Sequence, residues 1–448
     1  MSGRKLRGLT LAPLVAATYF MVSGGPYGLE ELIAKAGYQR GLWILIITPL
    51  IWSLPTALMV GELSSALPEQ GGYYAWVRRA LGPFWGFQEA WLSLIASIFD
   101  MALYPTLFVL YLGCLFPSLG TGAPATAVGA GMIALCALWN LTGTRVVGGS
   151  SLLMGIILLS PFALMVILSG AHPVLTTTAA RAPEAGLFAG ISVAMWNLMG
   201  WDNASTVARD VEKPARNYPL AMLITVLLVT ATYVMPVWAA QRAGLDPKSW
   251  TTGSWVSAAD VISGGWLGTA VVIGGMVSAI GTFNSLVMSY SQVPVALAED
   301  GLFPHVFARR TARLGAPWVA ILVCSAAYAC CLGLGFSRLV LLDVLVYGLS
   351  LLLEFVALVV LRIREPQLPR KFRVPGGLVG AIAVGVLPMA LLIAALFSSG
   401  DAGVESTLAL AIGVCLAYLG PLIYWVRERY RRVGALQPLR QNGKRATG

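Results

Sequence analysis

The sequence predicts an all-α integral membrane protein with twelve transmembrane helices. Of its 448 residues, 57% are hydrophobic and only 11% are charged, a balance that water-soluble domains of this length do not have. Apolar stretches of about 20 residues recur along the chain, which is the length that a helix needs to cross a hydrocarbon core about 30 Å thick. The strands of a membrane β-barrel would instead give segments of about ten residues with alternating polarity.

The predicted spans leave no room for a soluble domain between them, so we expect one membrane domain with short tails. In chain order the spans are 10–33, 41–67, 84–116, 123–141, 149–170, 187–208, 218–242, 262–298, 316–335, 338–362, 377–398 and 405–427. Basic residues precede the first span as in a signal peptide, but no small-residue cleavage pattern follows it. We therefore expect this span to remain as a helix of the mature chain.

The distribution of basic residues predicts the orientation. If the N-terminus faces the cytoplasm, the loops and tails on that side hold the great majority of the 30 Lys and Arg residues, which is the asymmetry of the positive-inside rule. We therefore expect both termini in the cytoplasm and the protein in the cytoplasmic membrane. The net charge of +10 also predicts an attraction to anionic lipids. Nucleic acid is not an expected partner, because that would need basic residues on a soluble surface.

The sequence lacks the residues of a metal site or a catalytic centre. Its six cysteines occur in apolar runs without metal-ligand spacing. The two histidines, His172 and His305, are predicted on opposite sides of the membrane, so they cannot share a metal or a catalytic triad. There is no glycine-rich nucleotide-binding loop. We therefore expect neither an enzyme nor a cofactor nor a metal.

The first span contains a segment that cannot form a regular helix, residues 23–28, SGGPYG. Pro26 has no amide hydrogen and obstructs the carbonyl four residues before it, while the glycines add backbone freedom. Unwound backbone inside a bilayer needs protein groups or a wet cavity to satisfy its polar atoms. The segment therefore predicts a break that binds a ligand, and a proline kink without a ligand is the alternative.

The sixth span is interrupted in a similar way at residues 197–203, NLMGWDN. The two interrupted helices are five spans apart, so they would occupy corresponding positions in two halves, about 10–170 and 187–362. An odd number of spans per half turns the second half upside down relative to the first, and many secondary transporters share this inverted repeat. Their substrate binds where the two discontinuous helices meet, so the sequence predicts a binding site there.

Three carboxyl groups lie deep in the predicted spans, where an ionised group is costly and marks a functional candidate. Asp202 follows the break in span six and is a candidate for binding a ligand; the alternative is a cap of the second half of the helix, which does not exclude contact with a ligand. Asp100 shares a helix face with Tyr104; the alternative is a neutral, hydrogen-bonded structural role. Glu354 has no basic neighbour closer than Arg362, so it must be protonated, bonded across helices or directed to a polar cavity.

The other acidic residues of the spans are expected to be structural or solvated. Asp343 should reach water near the outer end of its span, and Glu30 and Glu31 should be solvated at the outer mouth. Glu62 and Glu89 are expected to anchor loops or cap helices.

A cavity lined by these acids and without basic residues would favour a cation. Aromatic rings beside a break or a buried acid would add cation–π contacts of about 0.5–2 kcal/mol each. The candidates are Tyr27, Tyr104, Trp196 and Trp201.

Six segments with these features follow one another over almost the whole chain: SGGPYGLEE (23–31), ELSSALPEQGGYYAWVRRALGPFWGF (62–87), FDMALYP (99–105), WNLMGWDNASTVARDVEKPARNYPLA (196–221), VALAEDGLFP (295–304) and LEFVALVVLRIREPQLPRKFRVP (353–375). Together they resemble the amino acid–polyamine–organocation superfamily. The chain is most similar to the branch of plant and protozoan polyamine uptake transporters and L-type amino-acid-transporter-like proteins, through Asp100 with Tyr104, Trp201 with Asp202, and Glu354.

The resemblance implies the LeuT-like fold, a 5+5 inverted repeat in which helices 1 and 6 are broken and two extra C-terminal helices, about 377–427, lie outside the repeat. It also implies that the charged head of the substrate meets the two breaks. In polyamine carriers of this kind, acids and aromatic residues on spans three, six and ten hold further amino groups. Carried over to this sequence, the substrate-binding residues are Ser23, Gly24, Gly25, Tyr27, Gly28, Asp100, Tyr104, Asn197, Trp201, Asp202 and Glu354.

These features predict a secondary active transporter that takes up a polyamine or a cationic amino acid together with a proton, by alternating access. Some proton-coupled relatives have a lysine in span five, but this chain has none there. The proton would therefore be carried by Asp202, Glu354 or Asp100. Sodium is less favoured, because the serines of span eight form no convincing site and serines in spans usually bond their own backbone.

The alternative within transporters is a neutral or broad amino-acid permease or an exchanger. Gly24, Gly25 and Gly28 are all present, and amino-acid carriers of the superfamily use this glycine break to bind a carboxylate. A channel is less favoured because of the two opposed helix breaks, and a membrane sensor is less favoured because no soluble signalling domain is predicted.

Overall fold

The computed structural model describes residues 9–69, 71–170, 187–333, 336–399 and 411–429. Most of both predicted tails, His172 and the first residues of the last predicted span, 405–410, lie outside the described residues. The regular elements within the described ranges are helices, apart from an isolated bridge between Leu9 and Val211. This arrangement agrees with the predicted all-α class.

The helices are numbered in chain order. The first half of the chain contains α1 (Leu11–Val22), α2 (Glu30–Thr48), α3 (Leu54–Ala66), α4 (Tyr73–Leu81), α5 (Pro83–Leu115), α6 (Gly122–Asn140) and α7 (Thr144–Ser169). The second half contains α8 (Leu187–Trp196), α9 (Pro214–Arg242), α10 (Ser254–Ser263), α11 (Gly265–Tyr290), α12 (Gln292–Glu299), α13 (Trp318–Ala329), α14 (Phe336–Arg364), α15 (Gly377–Ser399) and α16 (411–429). A π-helical turn, Pro49–Ser53, joins α2 to α3, and a 3₁₀ segment, Trp201–Asp210, follows the break after α8.

The helices coincide with the predicted spans at most positions. Within the described ranges, eight helices or directly joined helices are long and apolar enough to cross a membrane, and α1 and α13 are shorter apolar helices. The predicted span 84–116 matches α5, which runs from Pro83 to Leu115. The exact number of crossings and the inverted repeat stay predictions.

The predicted boundary between spans one and two coincides with a kink in a continuous helical stretch. The predictions end span one at residue 33 and begin span two at residue 41, whereas the chain is helical from Glu30 to Thr48 with a kink at Gly37, where φ is 71° and ψ is 172°. Glycine adopts this positive φ without the steric cost that a Cβ would add. The kink therefore separates the short second half of span one from span two without an intervening loop.

The outer surface of the bundle is apolar. Leu153, Leu227 and Val379 are 63%, 72% and 77% exposed, although residues of this type are usually buried in soluble proteins. Lipid chains are as apolar as these side chains, so a membrane does not drive them into the protein interior. The surface therefore suits contact with lipid.

Helices α5 and α14 pack against each other at the centre of the bundle. Helix α5 also packs against α11, and α14 also packs against α4 and α15. Arg364, the last residue of α14, donates a hydrogen bond to the carbonyl of Ala80, just before α5 begins, at 3.0 Å. The two helices therefore run antiparallel.

The end of the bundle at which α14 ends carries Arg78, Arg79, Arg362 and Arg370, and we call it the arginine-rich end. Arg79 donates two hydrogen bonds to Glu365, at 3.0 and 2.8 Å. These bonds lower the pKa of Glu365, which lies in the loop after α14. Acids at this end therefore have basic partners.

Glu62 connects three parts of the chain at the arginine-rich end. Its buried side chain forms ion pairs with Arg362 and, at 3.2 Å, with Arg370. It also accepts a hydrogen bond from the Val374 amide at 2.7 Å. The prediction that Glu62 anchors a loop is confirmed, because it holds the segment between α14 and α15 against α3.

Replacing Glu62 with glutamine is expected to destabilise the protein. Two largely buried guanidinium groups would lose their anion, and breaking a buried ion pair from one side costs about 3–5 kcal/mol. The melting temperature of the purified protein in detergent measures the effect. Glu69→Gln is the matched control, because the pair between Glu69 and Arg79 is exposed and longer, at 3.7 Å, and exposed pairs contribute about 1 kcal/mol at most. Equal losses in the two variants would contradict the prediction.

Candidate functional site

The predicted break in the first span is present. Helix α1 ends at Val22, the chain is not helical from residue 23 to 29, and the next helix begins at Glu30. Gly25 and Gly28 have φ of 74° and 92°, values that glycine adopts far more readily than other residues. The glycines and the intervening proline thus unwind the helix as the sequence predicts.

Side chains from other helices satisfy carbonyl groups of this break. Ser278 on α11 donates a hydrogen bond to the Gly24 carbonyl. Trp255 on α10 donates to the Pro26 carbonyl at 2.9 Å. The break is therefore held by the second half of the chain.

Two amide groups of the break have acceptors close by in sequence. The Ser23 hydroxyl accepts from the Gly25 amide at 3.0 Å, and the Glu30 carboxylate accepts from the Gly28 amide at 2.7 Å. Glu30 also accepts from the Tyr111 hydroxyl at 2.5 Å. The prediction that Glu30 is solvated is wrong, because its carboxylate is buried and accepts hydrogen bonds from the Gly28 amide of the break and, at 3.1 Å, from the Gly253 amide.

The break in the sixth span is also present. Helix α8 ends at Trp196, residues 197–200 are not helical, and the 3₁₀ segment begins at Trp201. Gly200 has φ of 88°, and a Cβ at this position would lie 2.4 Å from the Met21 carbonyl oxygen of α1. The two broken helices therefore approach each other closely at Gly200.

Aromatic side chains supply hydrogen bonds to the backbone of this second break. Tyr233 on α9 donates to the Asn197 carbonyl at 2.6 Å, and Trp52 donates to the Leu198 carbonyl at 3.1 Å. The indole of Trp201 donates to the same Leu198 carbonyl at 2.8 Å. Trp201, a predicted site residue, is thus buried within the break itself.

A small cavity lies between the two breaks. It is bounded by spans one, three, six and eight, and the predicted site residues Gly24, Tyr27, Tyr104 and Asn197 line it. Its other lining residues are Val22, Leu107, Trp196, Gly275, Ser278 and Ala279. The hydroxyl group of Tyr27 is already bonded, to the Val271 carbonyl at 2.6 Å, so this residue contributes its ring to the wall.

Asp100 lies next to cavity-lining residues, on the same face of α5 as Tyr104. Tyr104 donates a hydrogen bond to Asp100 at 2.8 Å, Tyr290 on α11 donates at 3.4 Å, and the Trp196 side chain also faces the carboxyl group. Asn203, which follows the second break, donates to the Tyr290 hydroxyl at 3.2 Å. A continuous set of hydrogen bonds therefore connects Asp100 on span three to span six.

Asp202 is buried near the start of the 3₁₀ segment. Tyr347 on α14 donates a hydrogen bond to Asp202 at 2.5 Å, and the hydroxyl of Tyr347 accepts from the Gly200 amide at 3.1 Å. The Asp202 carboxyl group also faces its own amide and that of Asn203. The capping role that the sequence allowed is therefore compatible with the structure.

Glu354 lies two helical turns beyond Tyr347 on α14 and is fully buried. In the described part of the chain neither of its carboxyl oxygens has a hydrogen-bond partner. Glu89 on α5 is a second buried acid in this region; Ser93 donates to one of its oxygens at 2.8 Å, and its other oxygen has no partner among the described residues. The prediction that Glu89 anchors a loop or caps a helix is wrong, because it lies inside α5 and bonds within that helix.

Asp343 is also buried, so the prediction that it reaches water is wrong. Its charge is close enough to those of Asp100 and Asp202 for them to repel one another. Among the described residues, no Lys or Arg forms an ion pair with any of these three acids or with Glu354. The centre of the bundle is therefore acidic, in contrast to the arginine-rich end.

Sequence reasoning missed Tyr290 and Tyr347, which bond to two of the acids. Tyrosines within apolar runs are common in membrane helices, so their presence alone is not informative. The spacing of seven residues between Tyr347 and Glu354 is the available signal, because two helical turns place both on one face.

Comparison with known proteins finds similar sequences over nearly the whole chain. A family model described as amino acid permease matches residues 15–418. The chain is 33% identical over 419 residues to the polyamine transporter RMV1 of Arabidopsis thaliana, which covers 92% of this chain and 85% of that protein. It is 35% identical over 417 residues to the polyamine transporter PUT1 of Oryza sativa subsp. japonica, covering 92% and 78%. It is also 24% identical over 436 residues to the serine/threonine exchanger SteT of Bacillus subtilis, covering 94% and 95%.

Gly28→Ala is expected to destabilise the protein more than a matched glycine change elsewhere. A Cβ at Gly28 would lie 2.8 Å from the Trp196 ring. Gly264 has a similar φ of 83° with no atom within 4 Å of the added Cβ, so Gly264→Ala introduces comparable backbone strain, about 1–3 kcal/mol, without the clash. The melting temperature in detergent should fall further for Gly28→Ala. A fall of the same size in both variants would contradict the prediction, because it would mean that the Trp196 ring moves aside without a loss of stability.

Proposed function

The chain belongs to the amino acid permease family, and on this premise we propose that it takes up a polyamine or another cationic amine by secondary active transport. It is a multi-pass membrane transporter for a small amine or amino acid, and not an enzyme. The observation that supports a cationic substrate is the acidic centre, where no described Lys or Arg pairs with Asp100, Asp202 or Glu354. The relatives named as polyamine transporters support the same substrate class.

In the proposed site, Asp100 balances the charge of an ammonium group. Tyr104 and Tyr290 bond to the Asp100 carboxylate and fix its position. The rings of Tyr104 and Trp196 form part of the cavity wall beside it, and each ring face contributes about 0.5–2 kcal/mol to binding a cation. Asp202 and Glu354, farther along the bundle, are available for a second amino group or for a coupling proton.

The first break favours an amine over an amino acid. In transporters with broken helices, the free amides at a half-helix N-terminus receive the carboxylate of the substrate. Here the Gly25 amide is bonded to Ser23, and the Gly28 amide is bonded to the Glu30 carboxylate. A substrate carboxylate at the Gly28 amide would have to displace Glu30 and would be repelled by its charge.

We further propose a proton as the coupling ion and alternating access as the mechanism. In a state open to the outside, the ammonium group binds at Asp100, and a proton binds at Asp202 or Glu354, with Asp100 itself as the third candidate. Both cations remove unpaired negative charge from the buried centre, and this favours closure because an unpaired buried charge is costly. Loss of the proton toward the cytoplasm then restores unpaired buried charge, which favours opening on that side and release of the amine.

This mechanism is proposed for a protein of the cytoplasmic membrane with both termini inside and the arginine-rich end facing the cytoplasm. The excess of Lys and Arg at that end supports this orientation. The two breaks, which lie against each other at Gly200, support the twelve-helix arrangement with inverted repeats.

A neutral or broad amino-acid permease or exchanger is the second candidate. The unwound segment keeps Gly24, Gly25 and Gly28, and a serine/threonine exchanger is among the relatives. The mark of an exchanger would be uptake that requires a counter-substrate inside the vesicle.

Spermidine is expected to raise the melting temperature of the purified protein, because a ligand that binds the folded state stabilises it. Asp100→Asn is expected to weaken this binding by about 30-fold or more, since truncating one partner of a buried charge pair costs about 2–5 kcal/mol. Titrating the shift in melting temperature against spermidine concentration measures the effect. Asp260→Asn, an exposed change on α10, is the control. Stabilisation by serine that Asp100→Asn does not alter would favour the second candidate.

Putrescine is expected to bind more tightly than ornithine. The two molecules differ only by the carboxylate of ornithine, which would have to displace Glu30 from the Gly28 amide. The same titration of melting temperature compares their affinities, and Glu30→Gln should narrow the difference by removing the competing charge. Tighter binding of ornithine to the unaltered protein would count against a polyamine substrate.

A further inference from the structure

We propose that Glu89 and Glu354 form a buried carboxyl pair that shares one proton, at a position separate from the amine site at Asp100. The proposal deepens the proposed function, since it rests on proton coupling for the pair's role in transport. The existence of the pair rests on the packing of α5 against α14, which requires no assumption about the substrate.

The register of the two helices brings the glutamates together. Ser93 on α5 and Ser350 on α14 are hydrogen-bonded to each other at 3.1 Å. Glu89 precedes Ser93 by four residues, and Glu354 follows Ser350 by four residues, so each glutamate shares a helix face with its serine. The two helices α5 and α14 run antiparallel. Moving back four residues on α5 and moving forward four residues on α14 therefore both lead from the serine contact toward the arginine-rich end. The two carboxyl groups therefore lie at the same depth on facing surfaces.

The hydrogen bonds of this region are incomplete. Glu89 uses one oxygen to accept from Ser93, while its other oxygen and both oxygens of Glu354 have no partner in the described ranges. The Tyr73 hydroxyl of α4 is directed to the same place, beside Ser93 and close to both glutamates. Glu89, Glu354 and Tyr73 are all completely buried. Buried carboxyl oxygens without a hydrogen-bond partner are uncommon in native proteins, and a proton shared between the two acids would join them by a hydrogen bond.

No basic side chain of the described residues neutralises the pair. The other acid whose charge acts on both glutamates is Asp202, which adds to the negative charge. Helices α8 and α15, which also pack against α14, contain no titratable residue, and Glu299 on α12, which packs against α5, is exposed. The arginines of α4 and α14 whose side chains the structure describes have other partners: Arg78 with Asp300, Arg79 with Glu365, Arg362 with Glu62, and Arg364 with the Ala80 carbonyl. Arg427 of α16 lies beside Gly301.

A proton is the cation that fits this site. Two ionised carboxylates facing each other in a buried, cation-free place repel strongly, and one proton relieves the repulsion and turns one acid into a hydrogen-bond donor for the other. Neither glutamate lines the cavity between the breaks, and an ammonium group would need such a space. The pair lies between Asp202 and the arginine-rich end. Tyr347, which donates a hydrogen bond to Asp202, shares a helix face with Glu354.

Infrared difference spectroscopy of the purified full-length protein tests the pair without any substrate. A protonated buried carboxyl group gives a C=O stretching band that an ionised carboxylate lacks. We expect a pH titration of the unaltered protein to show such a band, and the double variant Glu89→Gln with Glu354→Gln to lose it. Glu69→Gln with Glu299→Gln, two exposed changes, is the matched control and should keep it. A band that survives unchanged in the first double variant would overturn the proposal.

The single variants decide the question if the double variant does not fold. Each of Glu89→Gln and Glu354→Gln should shift or remove the same band, because the two acids share one proton. If the band changes in only one of the two variants, the acid replaced in that variant is protonated alone. That result would overturn the proposal of a shared proton.

Transport measurements in vesicles then separate the pair from the amine site. With acid outside, the Glu89→Gln variant should lose accumulation of spermidine, while exchange of labelled for unlabelled spermidine and stabilisation by spermidine remain within about twofold. A tenfold or greater loss of spermidine affinity would show that the pair holds an amino group, which overturns the proton assignment. If the unaltered protein does not bind polyamines, the proposed function fails, and the infrared result still decides whether the pair holds a proton.

Discussion

Unwound backbone at the centre of a membrane bundle has to find its hydrogen bonds within the protein, because lipid offers none. The structure meets this requirement with long aromatic side chains that reach the breaks from other helices. Tyr233 bonds to the carbonyl of Asn197, and Trp255 bonds to the carbonyl of Pro26. Each donor is itself part of a packed helix, so the positions of the breaks and of the surrounding helices determine each other. The site is therefore a property of the whole bundle.

Charge is distributed along the bundle in an uneven way. At the arginine-rich end, acids such as Glu62 and Glu365 are paired with arginines. At the centre, Asp100, Asp202 and Glu354 have only hydroxyl or amide neighbours or no bonded neighbour among the described residues. A chain selected only for stability would pair buried acids or replace them with apolar residues, since an unpaired buried charge is strongly destabilising. The contrast between the arginine-rich end and the centre of the same helices supports the proposal that the centre binds a cation reversibly.

The sequence predicts the breaks well, because proline and clustered glycines act on the local backbone and need no knowledge of neighbouring helices. The pairing of Asp100 with Tyr104 is also predictable, since it depends on helical spacing alone. Burial near helix ends is harder to predict. Glu30 and Asp343 lie near predicted ends of spans, yet both are buried, because neighbouring helices cover them. The position of a residue along its own helix does not reveal this cover.

Contacts between helices distant in sequence are the second limit. In the sequence, Glu89 is an acid near the start of a span. Its proposed role depends on the register between α5 and α14. That register is visible in the contact of Ser93 with Ser350. The same applies to Tyr347, whose partners Asp202 and Gly200 belong to a segment about 145 residues away. Residue type and periodicity give the candidates, and three-dimensional packing decides how they are grouped.

Tyr347 shows how the conformation of the sixth span and the charge of its acid are linked. A tyrosine hydroxyl has one proton to donate, and here it is donated to Asp202 while the oxygen accepts from the Gly200 amide. A movement of the break that carries Gly200 away from Tyr347 also separates Asp202 from its donor, and this makes the ionised form of Asp202 less favourable. By reciprocity, a proton on Asp202 makes the same movement less costly. In the proposed mechanism, binding of a cation and movement of the break are therefore two aspects of a single equilibrium.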